Sequence, residues 1–532
     1  MTVAEQRRET APLGTDAAGA TLPTLRRRLV PPMPTAGIGW WLVLLAITAL
    51  GGLLRFAHLA RPHGFVFDET YYAKDAWSLL NNGVELNYPD AKVADPKILA
   101  GTTHIWTDTG SFVVHPPLGK WLIAVGEAMF GMNPFGWRFM TAVCGTLAIL
   151  ILGRMVRRLT RSNLLGALAA LLLAVDGLAI VEARTAILDS LLAFWLLLGT
   201  GALLLDRDRT RGRLADAVIA DPGRLRRGGP SAGWRPWRLM AGLCFGAGCA
   251  TKWNGVFLLA VFGVMVVLWD VGARRAIGVR HPWLATAGRD AVPAFFSLVG
   301  TAVVVYVAAW AGWFATSVGY DRQWGQTHPP SGLGRVVPTA LRSLWHYHAE
   351  MLNFNVHLSS PHPYASSPVG WLLMARPVAF AYTGNLAGNG GSCTTTNCTR
   401  AIHALGTPLL WWGGIVALLV CAWLWAAGRD WRGGLALAGV AGTWVPWLFF
   451  ADRTIFSFYA IATLPFLIIA VTVVVGTILC GTGRRRAVVA ALCGAYVLAV
   501  VVDSGFLYPV LTDQLIPYDA WRSRMWFASW IG

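Results

Sequence analysis

The sequence predicts an all-α polytopic membrane protein of one large unit. Three observations lead there. Of 532 residues, 55% are hydrophobic and only 13% charged, about half the charged share of a soluble domain. Mean hydropathy is +0.52. The chain also breaks into eleven apolar stretches, most of them near the ~20 residues needed to cross hydrocarbon. The 27 Trp and 58 Gly agree, since Trp gathers at membrane interfaces and Gly is common in membrane helices.

The stretches are expected at about 38–57, 136–153, 163–180, 186–205, 238–252, 254–271, 291–316, 408–428, 433–450, 456–480 and 487–506. The pair at 238–271 is split by Lys252, Trp253 and Asn254. Residues 1–36 are polar and Arg-rich and read as a disordered cytoplasmic tail. No cleavable signal peptide is expected there. The segment 206–237, Arg-rich and containing Gly-Gly-Pro, reads as a flexible loop. The body is expected over 37–506, followed by an extracytoplasmic segment at 507–532. Two long outer segments, 58–135 and 317–407, interrupt the body and are expected to carry interfacial helices. Loops of that length usually hold function.

The net charge of +17 raises nucleic acid as a partner. Its distribution argues against that. With the N-terminus inside, 27 of the 44 Lys and Arg fall on cytoplasmic segments, which is the positive-inside pattern. An odd span count then puts the C-terminus outside. Ten of the eleven His and every Lys lie on the outer side, so the chemistry is expected there.

Six cysteines sit in or beside apolar stretches and read as small hydrophobes. Cys393 and Cys398 lie in the second outer segment and are candidates for a local disulfide.

The candidate site residues gather at the outer ends of the spans. The first segment carries Phe-Val-Phe-Asp68-Glu69-Thr-Tyr-Tyr72-Ala-Lys74. Asp68 has two readings, a helix N-cap and a carboxylate base at a cavity mouth. His115-Pro-Pro-Leu-Gly-Lys120 opens a second helix, with the prolines fixing its entry. Arg138, Arg184, Lys252 and Arg453 lie at or near span ends, where a cation either snorkels or has a partner or function. Together they suit an anionic headgroup, phosphate first. Arg55 lies within the first span. Asp189 is expected to pair with Arg184; Asp176 and Glu182 have the same standing. In the second outer segment, His346, His348 and Glu350 read as part of a polar lid rather than as metal ligands.

Taken in order, Phe-Asp68-Glu69-Thr-Tyr-Tyr-Ala-Lys74, His115-Pro-Pro-Leu-Gly-Lys120, Trp-Arg138-Phe, Arg184 with Asp189, Thr-Lys252-Trp-Asn-Gly and Arg453-Thr-x-Phe-x-x-Tyr459 closely resemble the protein O-mannosyltransferases of the GT-C membrane glycosyltransferases. The resemblance runs from about residue 37 to the C-terminus. It lacks the β-trefoil module of eukaryotic members and looks like a bacterial, actinobacterial-type form.

The resemblance implies a GT-C fold and inverting transfer of mannose from polyprenyl-phosphate-mannose to Ser or Thr hydroxyls of secreted proteins. It implies Asp68 as base, Glu69 as a second acidic site residue, and Arg138, Lys252 and Arg453 around the donor phosphate, with His115 and Lys120 beside them. Arg55, Arg184, Asp189, Tyr72, His348 and Tyr459 are expected as support. No cofactor or metal is expected, since cations can stabilise a phosphate leaving group. The place is the cell membrane, with the active site outside and acceptors arriving from the export machinery. A GT-C enzyme with another lipid-linked sugar or a lipid acceptor is the alternative. A transporter fits less well, because its coupling charges belong near mid-membrane.

Overall fold

A computed structural model describes residues 22–225, 229–389, 391–480 and 483–531. Its dominant element is the membrane-length helix. Eight helices are long and apolar enough to cross: Ile38–Phe56, Pro134–Thr160, Leu188–Ala220, Gly255–Ala276, Pro282–Ala309, Pro408–Ala426, Trp431–Phe450 and Gly483–Leu511. The other three expected stretches fall on broken or shorter helices. The stretch at 163–180 is Asn163–Val175 followed by Gly177–Ala183, bent by 62°. Asp176 makes the break. Its Oδ1 caps the second helix by accepting from Ala179 N at 2.9 Å, and its Oδ2 accepts from Trp411 Nε1 at 2.9 Å. The stretch at 238–252 is Pro236–Thr251, ended at Lys252. The stretch at 456–480 is a 3₁₀ turn, Ser457–Ala462, and then Leu464–Ile478.

The chain is thus a multi-pass membrane protein, with eight such helices among the described residues, nine counting the bent pair as one. A single large cluster of buried apolar side chains runs through the bundle, with Leu44, Ile149, Leu192, Phe245, Leu258 and Leu467 fully buried.

The segment 58–135 folds into helices Glu69–Asn82, Ala91–Leu99 and Leu118–Phe130. Leu118–Phe130 lies directly on the start of Pro134–Thr160. A Cβ added at Gly126 would sit 2.3 Å from the carbonyl oxygen of Gly136, so only glycine permits that approach. The segment 317–407 holds the helix Thr339–His357 and, beyond the all-α expectation, two strands of a small antiparallel sheet. Strands β1 (Val378–Leu386), β2 (Cys398–Ala404) and β3 (Ile516–Pro517) pair in that order, with Val378 opposite Ala404 and Cys398 opposite Pro517. Cys393 and Cys398 form the expected disulfide at the start of β2.

Two loop expectations change. Of the tail, residues 1–21 lie outside the described residues, whereas Leu22–Leu29 is helical. Leu29 is buried in one cluster with Leu214 and Ala215. The expected flexible loop at 206–237 is largely helix, because Leu188–Ala220 continues past the apolar stretch. Arg235 in this segment ion-pairs with Asp206 and, at 2.6 Å, with Asp270.

Candidate active site

A cavity of about 960 Å³ has an apolar arm and a polar end. Val256, Phe257, Leu259, Val299 and Val303 line the arm. Asp68, Tyr72, His115, Lys252, Arg453 and Tyr459 line the polar end.

Asp68 occupies the N-cap position of Glu69–Asn82, but its side chain accepts no capping hydrogen bond. The capping reading therefore fails for the side chain and holds for the position. The preceding Phe67 has φ of 50° and stacks on Phe380 of β1 with centroids 4.9 Å apart. Tyr72, one turn on, donates its hydroxyl to Asp68 Oδ2 at 3.5 Å. Burial raises the Asp68 carboxyl from 3.8 to about 6; the Lys252 ammonium opposes this shift, and the Asp189 carboxylate adds to it. A carboxylate in that range is ionised at neutral pH and accepts a proton more readily than a solvated one.

Lys252 follows the end of Pro236–Thr251. Its ammonium donates to Asp189 Oδ1 and Oδ2 at 2.9 and 2.8 Å and lies 3.9 Å from the centre of the Tyr459 ring. Asp189 is thus the partner of Lys252, not of Arg184 as the sequence suggested. An ammonium has three hydrogens, so one is left for the cavity.

Arg453 is the least committed cation of the site. Its Nη2 reaches Asn355 Oδ1 at 3.4 Å, and its buried Nε has no hydrogen-bond partner. A fork of free guanidinium donors matches phosphate geometry. His115 is held neutral by burial, reinforced by the charges of Lys252, Lys120 and Arg453. Lys120 reaches the cavity edge, yet it ion-pairs with Glu85 and, at 3.5 Å, with Asp75, so its charge is already matched.

Glu69 and Arg138 are placed differently from the expectation. Arg138 donates Nε and Nη2 to the two Glu69 oxygens, both at 2.7 Å. Its remaining donors go to the carbonyls of Leu59, Pro62 and Gly64 at 3.2, 3.0 and 2.8 Å. Glu69 also accepts from Val66 N and Ala186 N, each at 2.9 Å. Both side chains are fully buried and neither lines the cavity. An arginine with every donor engaged has none for a phosphate. The pair instead clamps the turn before Glu69–Asn82, and so fixes where Asp68 points.

Arg55 and Arg184 likewise turn to backbone. Arg55 donates to Gly51, Leu173 and Ala174 carbonyls, each at 3.0 Å. Arg184 donates to the Arg55 and Ala57 carbonyls at 2.9 and 2.7 Å. Each neutralises helix-end carbonyls. His348 lies behind the cavity wall. Its Nδ1–H donates to Leu344 O at 2.7 Å, which leaves Nε2 to accept from the Tyr306 hydroxyl at 2.6 Å; that hydroxyl in turn accepts from Trp253 Nε1 at 2.8 Å.

Sequence reasoning missed Asn355, Trp253 and Tyr306, all of which line the cavity. Trp253 alone had a signal, standing next to Lys252. The polar end therefore brings the Asp68 carboxylate into one cavity with an ammonium and a guanidinium, beside an apolar arm. Such a site can deprotonate a hydroxyl and receive an anion attached to a long hydrocarbon.

Residues 45–276 match the family described as dolichyl-phosphate-mannose-protein mannosyltransferase, and residues 340–530 match the C-terminal four-span region of protein O-mannosyltransferases. The chain is 38% identical to a polyprenol-phosphate-mannose–protein mannosyltransferase of Mycobacterium tuberculosis, covering 94% of this chain and 95% of the relative. It is 31% identical to the same-named protein of Corynebacterium glutamicum, covering 92% of each. Among solved structures, the fold is similar to the Saccharomyces cerevisiae protein O-mannosyltransferase Pmt1–Pmt2 complex bound to the sugar donor. There the TM-score is 0.70 at 13% identity, over 98% of this chain and 95% of that one.

Proposed function

The chain belongs to the protein O-mannosyltransferase family, and on that premise we propose that it moves mannose from a polyprenyl-phosphate-mannose lipid to Ser or Thr hydroxyls of exported proteins. The single observation that carries the reading is the Asp68 side chain: unused as a cap, half-buried, and sharing one cavity with Lys252 and Arg453. The donor's hydrocarbon lies in the apolar arm and its phosphate sits against Arg453 and the free hydrogen of Lys252. The acceptor hydroxyl enters from the opposite side of the sugar and gives its proton to Asp68. The new bond forms from that oxygen to the anomeric carbon as the bond to the phosphate oxygen breaks, which inverts the configuration. The departing lipid phosphate is already an anion and needs no proton. One base and a basic cradle therefore suffice, whereas a glycosidase needs a second carboxyl as acid. In this mechanism the cations stabilise the leaving group, with no metal in the chemical step.

The concentration of Lys and Arg on the opposite segments supports placing this cavity on the extracytoplasmic side, with the N-terminus inside. Acceptors then arrive as unfolded chains during export. The test is a transfer assay with the purified protein in lipid nanodiscs, labelled polyprenyl-phosphate-mannose and a Ser/Thr-rich peptide. The proposal expects label on the peptide hydroxyls in the inverted configuration. Label on a lipid acceptor only, or transfer only from a donor carrying another sugar, would overturn it.

A further inference from the structure

Away from the cavity lining, Asp321, His346 and Glu350 bring one ligand atom each to a common point, all within 4.8 Å of one another. Two separate elements supply them. His346 and Glu350 are one turn apart on Thr339–His357. Asp321 projects from the turn before Trp324–Thr327, with its backbone held at φ of 48°, a conformation a non-glycine residue rarely adopts.

His346 Nε2 lies 3.4 Å from Asp321 Oδ2 and 3.5 Å from Glu350 Oε1. These gaps are longer than the ~2.7–2.9 Å of a charge-assisted hydrogen bond. They do match ligands around an ion: nitrogen and oxygen atoms about 2.1 Å from a tetrahedral centre stand about 3.4 Å apart. The imidazole is also oriented in advance. It stacks on Trp324 with centroids 4.1 Å apart and planes 7° apart, while His328 stacks on Trp324 at 4.4 Å and 10°. The stack fixes the plane in which the ring nitrogens lie. All three residues are partly exposed, so an ion has access and water can complete its shell.

We propose that Asp321, His346 and Glu350 form a site for a first-row divalent cation of the zinc or manganese type. One imidazole nitrogen with two carboxylate oxygens suits those ions better than the all-oxygen shells of calcium and magnesium. The ion ties the Asp321 turn to Thr339–His357. The far half of that helix lines the cavity through Leu352, Phe354 and Asn355, and Asn355 contacts Arg453. Occupancy therefore stiffens the wall that presents the free guanidinium; the ion takes no part in bond making.

The test uses the full-length protein in nanodiscs, stripped with chelator and titrated with Zn²⁺ and, separately, Mn²⁺. Bound metal is read by elemental analysis and stability by thermal unfolding. The expected result is one equivalent bound by one of the two ions, with the midpoint raised by about 2 °C at a hundredfold excess over Kd. H346A and D321N are expected to lose at least tenfold in affinity. E350Q, which keeps shape and polarity, guards against a folding defect and is expected to show the same loss. A simple His–carboxylate ion pair would instead give no stoichiometric metal; that outcome overturns the proposal, as does equal binding by H346A. The readout does not use mannosyl transfer, so its failure leaves the proposed reaction standing, and failure of that reaction leaves the metal site standing.

Discussion

Replacing Asp68 with Asn keeps the side chain's size and removes only its charge and its ability to take a proton. Two consequences of opposite sign follow. A positioned base is worth roughly 10²–10⁴-fold in rate, so transfer should fall by that factor. Stability should move the other way. Folding raises the Asp68 pKa from 3.8 to about 6, which means that the folded chain disfavours the ionised form. The stability held by the neutral acid is complete below pH 3.8 and is lost as pH rises through 6. By pH 7 the charge costs about 2–3 kcal/mol, and D68N removes that cost. The variant should unfold a few degrees higher than the parent. Wild-type kcat/KM should rise with pH through about 6 and then level. The assays are nanodisc transfer kinetics from pH 5 to 8 and a thermal scan of both proteins. A D68N protein that transfers within tenfold of wild type, or that loses activity together with its fold, refutes the reasoning.

Three further outcomes follow from the same geometry. E69Q leaves Arg138 buried without its counter-charge, a loss of roughly 3–5 kcal/mol; thermal scans should show the drop, with the donor KM of the remaining folded fraction unchanged. K252M removes the charge that holds the Asp68 pKa down, so the acid limb of the kcat/KM profile should shift to higher pH; an unmoved limb contradicts that electrostatic coupling. R453A removes the long hydrogen bond to Asn355 and the guanidinium proposed to hold the phosphate, so it should raise donor KM about tenfold or more while the unfolding midpoint stays within a degree or so.

Much of the bundle was legible because its signals are local. Apolar runs of membrane length need no knowledge of what packs on what. The break at Asp176 was not legible: Asp176 bends a stretch that reads as one span because its hydrogen-bond partner, Trp411, lies far along the chain. The site divides in the same way. Asp68 stood out at the end of an apolar approach, and Lys252 and Arg453 as cations at span ends. Arg138 looked equivalent to them, since a sequence displays a charge and hides its counter-charge. Only folding brings Glu69 against it and turns an apparent phosphate ligand into a clamp. Asp189 was assigned to the nearer cation in the chain, Arg184, whereas the helix start carries it to Lys252. Asn355 carried no signal at all, because a polar residue on a half-exposed helix has nothing to mark it until Arg453 arrives from another segment.

The most direct measurement is a structure of the protein in nanodiscs with polyprenyl-phosphate-mannose bound. The account predicts the prenyl chain in the arm lined by Val256 and Val303, a phosphate oxygen within hydrogen-bond reach of Arg453, and the Asp68 carboxylate on the side of the anomeric carbon away from the phosphate. A phosphate seated on Arg138 instead, or an Asp68 carboxylate shut off from the sugar, would contradict it.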